Sequence, residues 1–100
     1  MKMNDSPKNV VETDKFILVD SIIGGTTISD VVCRIYRGST DMSYQCLTGH
    51  VEYIRNNYVS PLIQNLKGGN TYMFIARVMV DGDVKTRKCK IIVQKETDLQ

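Results

Sequence analysis

The chain has no tryptophan, one histidine and two prolines in 100 residues, and its formal charge is only +2. A net charge so close to zero argues against nucleic acid as the main partner. Nowhere does an apolar run approach the length that spans a bilayer. The N-terminus, Met1-Lys2-Met3-Asn4-Asp5-Ser6-Pro7, lacks the apolar centre of a secretory signal, so the expectation is a cytoplasmic site of synthesis. On that expectation Asn4-Asp5-Ser6 is a chance glycosylation sequon. Three cysteines, an odd number, argue against a disulfide framework. Cys33 and Cys89 lie in apolar patterns expected to bury them as free thiols, while Cys46 sits among polar neighbours and is expected nearer the surface. No stretch of a dozen residues carries a 3.6-residue apolar period with caps, so helix is expected to be nearly absent.

Catalytic groupings are missing as well. His50 follows Gly49 in a loop pattern with no ligand-spaced partner. Asp81 and Asp83 flank a turn glycine, without the further carboxylates a calcium site needs. Gly24-Gly25 and Gly68-Gly69 precede strand patterns rather than helices, so neither forms a phosphate cradle at a helix start. The residues therefore point to a protein that is not an enzyme and needs neither metal nor cofactor.

What is present is β patterning. Residues 71–80 are rich in β-branched and aromatic side chains, and Asp81-Gly82 separates them from a second run, 84–93. Asp-Gly between such runs marks a tight hairpin, because both turn positions tolerate positive φ. Alternation puts Tyr72, Phe74, Ala76, Val78 and Val80 on one face and Met73, Ile75, Arg77 and Met79 on the other. Leu66 and Tyr72 have the spacing at which a sandwich strand places a tyrosine corner, its hydroxyl bonded to backbone upstream. Further strands are expected over 15–19, 28–36 (Val31, Cys33 and Ile35 inward), 42–47 and 58–66, the last interrupted at Pro61, with 51–55 either a short strand or a connector. About seven short strands at turn-separated intervals define an all-β antiparallel sandwich. The expected organisation is an N-terminal arm over 1–14, a sandwich over 15–94 and a polar tail over 95–100, with Val10-Val11 able to pair at an edge.

Two features could bind a partner. Lys85, Arg87, Lys88 and Lys90 place four cations within six residues, either as edge protection or as a docking site for an acidic partner. Met73, Ile75 and Met79, joined by Ile92, form an apolar outer face that the arm, a loop or another subunit should cover.

The order of motifs adds a resemblance. Asp20-Ser21, Gly25-Thr26-Thr27-Ile28-Ser29, then Leu66, Gly68-Gly69-Asn70-Thr71-Tyr72, Val78, Asp81-Gly82, Arg87, Ile91 and Val93 follow one another as in small immunoglobulin-like virion proteins of tailed bacteriophages, the fibre–tail adaptor and head–tail junction type. Coverage is about residues 15–93. Cys33 stands where that family often has tryptophan, and Asp81-Gly82 replaces its Ser-x-Gly hairpin. The resemblance implies an immunoglobulin or fibronectin III-like sandwich that is a structural virion component of a collar, junction or fibre attachment. It also implies many copies in a ring, neck, tail or fibre subunits as partners, no nucleic acid or membrane contact, and synthesis in the bacterial host. The competing expectation is a capsid decoration or adhesin-like module that presents its loops to a host surface.

Overall fold

The computed structural model describes residues 1–3, 6–22 and 27–96. The Gly24-Gly25 turn, the Asn4 sequon and the last residues of the tail lie outside them. The fold is almost all β. Its strands are β1 (Lys8–Val11), β2 (Val19–Ser21), β3 (Ile28–Arg37), β4 (Thr40–Asp41), β5 (Leu47–Thr48), β6 (Glu52–Ile54), β7 (Asn57–Val59), β8 (Leu62–Ile63), β9 (Thr71–Val80) and β10 (Asp83–Gln94), with one helical turn, α1 (Ser43–Cys46).

Strand β9 is central. It lies between β10 and β3 in a five-stranded sheet ordered β1-β10-β9-β3-β4. Asp81 and Gly82, at φ 49° and 90°, close the β9–β10 hairpin on the pair Val80 and Asp83. Positive φ at both turn residues gives the connection a twist that matches the strands it joins. All five expected inward residues of β9, from Tyr72 to Val80, are buried, as are Val31, Cys33 and Ile35 of β3. Strand β1 runs parallel to β10, Lys8 opposite Ile91 through Val11 opposite Gln94.

A second layer faces this sheet, built from β2-β7-β6 and β5-β8. The two small sheets follow one line of chain: Phe16 bridges Ile63, and Ser60 N–H donates to Leu18 C=O. Pro61 interrupts the line between β7 and β8, where a residue with no N–H cannot extend a ladder. Leu18, Tyr58 and Ile63 from this layer share one core with Ile35, Phe74, Val78 and Ile91 from the other, giving a sandwich-like arrangement.

Three details depart from expectation or sharpen it. Residues 43–46 form a helical turn instead of part of a strand, and Cys46 is fully buried there with its thiol directed at Asn65 C=O. Met3 and Val10, in the segment expected as an arm, belong to the core. Tyr72 is buried, and its hydroxyl accepts the Lys67 N–H at 3.0 Å, directly after buried Leu66; the bond ties the entry loop to the first residues of β9.

Candidate docking surfaces

The sheet register assembles the outer face of β9. Because successive side chains alternate, the rows that face away from the core read Tyr36–Met73–Lys90, Arg34–Ile75–Lys88, Val32–Arg77–Thr86 and Ser29–Met79–Val84. Met73, Ile75 and Met79 are half-buried by their in-plane neighbours, whereas Val32 and Val84 stay 46% and 62% exposed. Strand β1, which could have crossed this face, lies beside β10 instead. Ile92 is half-buried at the end of the face opposite Met79, level with Thr71 and Asn9. An apolar midline therefore runs along β9, with Arg34, Arg77, Lys88 and Lys90 on either side of it or across it.

The four cations expected as one cluster divide between the two sides of β10. Lys88 and Lys90 join the outer face. Lys85 and Arg87 share the parity of buried Cys89 and turn the other way. The Arg87 guanidinium reaches Asp20 of β2 with two bonds, Nε to Oδ2 at 2.8 Å and Nη2 to Oδ1 at 2.9 Å. Asp20 is 1% exposed and also accepts the Tyr58 hydroxyl at 2.8 Å. Arg87 thus joins the two layers, and its guanidinium is committed within the domain. Burial, then the bond to Asp20 and its charge, push the Tyr58 phenol well above its usual range. Lys85 lies on the stretch of β10 that β1 does not cover, where a lysine discourages further strand pairing.

Sequence reasoning missed Val32, Arg34, Tyr36 and Val84 as parts of the same surface. Their alternation was readable, but the β3–β9 register, with its bulge between Ser29 and Val32, was not.

A second surface opens at the far edge of β3. Strand β4 pairs only Tyr36 and Arg37, and beyond them a cleft of about 840 Å³ separates β3 from the chain at 43–53. Tyr44, 97% exposed, Leu47, His50 and Tyr53 line it. Asp41, at its rim, is held below the usual carboxylate range by hydrogen bonds from Ser43, with Arg34 adding a smaller effect. Among the described residues no group of His, Cys, Asp and Glu could hold a metal ion. Asp81 is engaged at the hairpin, where its carboxylate accepts the Thr27 N–H at 2.9 Å. No protein-family model matches the chain and no curated protein matches it.

Proposed function

We propose that this chain is a non-enzymatic structural module, an immunoglobulin-like sandwich that acts through protein–protein contacts made by the outer face of β9 and its neighbours. The observation that carries the reading is the apolar midline Met73–Ile75–Met79, continued by exposed Val32 and Val84 and left uncovered by β1. A sheet face whose methionines and isoleucine are flanked by cations and crossed by Arg77 has the make-up of an interface, where Met and Arg are enriched. Strand order supports the immunoglobulin-like class: β2-β7-β6 and β3-β9-β10 reproduce the B-E-D and C-F-G neighbours of that fold, and Tyr72 occupies the corner position. Together with the ordered motifs, this favours a tailed-phage virion component at a head–tail junction, collar or fibre attachment, present in many copies. A capsid decoration or host-surface module is the second reading, favoured by the full exposure of Tyr44 beside the cleft.

The test is placement. Cryo-electron microscopy of an intact particle is expected to show this domain with its β9 face against a neighbouring subunit. The double variant Met73→Ser and Ile75→Ser is expected to stay folded and fail to incorporate. A folded monomer that binds glycans or cells, with the β9 face in solvent on the particle, would sink the adaptor reading.

A further inference from the structure

The free edge of β3 is stoppered by side chains. The Val31 and Ile35 backbone groups bond Tyr53, Ser43 and Met42 rather than β9, so by ladder alternation the backbone groups of Val31, Cys33 and Ile35 point to the cleft side. The Val31 N–H donates to the Tyr53 hydroxyl at 3.0 Å, and Cys33 C=O accepts from the Arg34 guanidinium at 3.0 Å. Ile35 is closed on both counts, its N–H on Ser43 Oγ and its C=O on Met42 N–H. Between them the Cys33 N–H faces the same side as the Val31 and Ile35 N–H groups, by the alternation of an antiparallel ladder. A row of outward backbone groups on a sheet edge is a template for another strand.

The opening is spanned by one side chain. Tyr53 belongs to β6, in the opposite layer, and bridges the gap with its side chain and a 3.0 Å hydrogen bond. That reach is at most about two inter-strand spacings of ~4.8 Å, so the opening admits no more than a single added strand. The walls differ on the two sides. Leu47 and Val51, both half-buried, line the inner side. Arg34 stands on the outer side; besides its bond to Cys33 C=O it meets Asp41 at 4.0 Å in a half-exposed pair, a contact worth little in water.

We propose that the β3 edge accepts an extended peptide segment of a partner protein, which pairs with Val31 and Cys33 and displaces the Tyr53 hydroxyl and the Arg34 guanidinium from the backbone. Its inward side chains are apolar, against Leu47 and Val51, and its outward side chains are carboxylates, against Arg34. Main-chain bonds supply affinity and the alternate side chains supply selectivity, the general logic of strand addition. This site borders the β9 face and shares Arg34 with its margin, but it uses the opposite, unpaired edge of β3 and does not need Met73, Ile75 or Met79.

The probe is an N-acetylated peptide alternating valine and glutamate over about six residues, titrated into the 15N-labelled full chain. Amide shifts are expected at Val31 to Arg34 and Tyr53, with none at Met73, Ile75 or Met79. Tyr53→Phe removes the competing hydroxyl and is expected to tighten binding by about 2–10-fold. Arg34→Glu is expected to weaken the valine–glutamate peptide and to prefer a valine–lysine one, a reversal that a folding defect cannot imitate. The proposal is overturned by the absence of shifts at about 1 mM peptide, by shifts on the β9 face instead, or by weaker binding to Tyr53→Phe. Concentration-dependent shifts at Val31 to Arg34 without peptide also overturn it, because the edge would then pair with a second copy of the chain.

Discussion

Arg87 lies in a strand whose other cations are solvated, yet its partner is a carboxylate 67 residues earlier in the chain. The energetic weight of that pair is asymmetric. Asp20 is 1% exposed, whereas the Arg87 side chain is 42% exposed, so removing the arginine strands a buried charge while removing the aspartate frees a cation that can reach water. Arg87→Met is therefore expected to lower unfolding free energy by about 3 kcal/mol, measured by urea denaturation, and Asp20→Asn added to it should recover part of the loss. Two further buried groups set an alkaline limit. Burial pushes the Cys33 thiol from its ordinary 9.0 up to about 11, against a smaller opposing pull from Arg34. Tyr58 moves the same way. Both groups hold their protons more tightly folded than unfolded, so the stability they contribute is complete below about pH 9 and is lost as pH rises from there through the folded values. The urea midpoint should be flat from about pH 7 to 9 and fall above it, the Cys33 share over the window from 9.0 to about 11. A midpoint that rose across that range would contradict the burial of these groups.

At the scale of elements, two glycines near β9 act for different reasons, and substitution separates them. Gly82 has φ 90° and nothing within 4 Å of the point a Cβ would occupy, so alanine there costs only conformational strain, about 1 kcal/mol. At Gly68 a Cβ would come within 2.7 Å of the Lys95 backbone and 2.6 Å of the Glu12 carboxylate. That carboxylate also accepts the Gly68 and Glu96 N–H groups, so Gly68→Ala should cost more, about 2–3 kcal/mol, and loosen the end of β10. Thermal melts of the two variants rank them. The β9–β10 hairpin and the inward faces of β3 and β9 were legible in the sequence because a two-residue period and an Asp-Gly turn are local signals. The turn at 43–46 was not, since one turn of helix is too short to show a period, and the burial of Cys46 went unread with it. The outer surface was half legible: Met73, Ile75 and Met79 follow from alternation in one strand. Their neighbours Arg34 and Val32 depend on register across a bulge, and the Asp20–Arg87 bond depends on how the two layers stack.

For the molecule as a whole, the single core predicts a cooperative response. Cys33, Cys46 and Cys89 come from three separate elements and are all buried. An aromatic disulfide reagent at neutral pH should therefore label none of them in the folded chain, and all three together at a rate that tracks global unfolding. Staggered labelling, with Cys46 reacting first, would show that the 43–46 turn opens independently. The pairing of β1 with β10 has a mechanical consequence. These strands run side by side in the same direction along Lys8–Val11 and Ile91–Gln94, so tension that drags one backward and the other forward slides them past each other. The load then falls on every rung of that ladder at once, where an antiparallel hairpin pulled from its open end would unzip rung by rung. A domain tethered through its first and last strands would resist tugging far better than its modest size suggests.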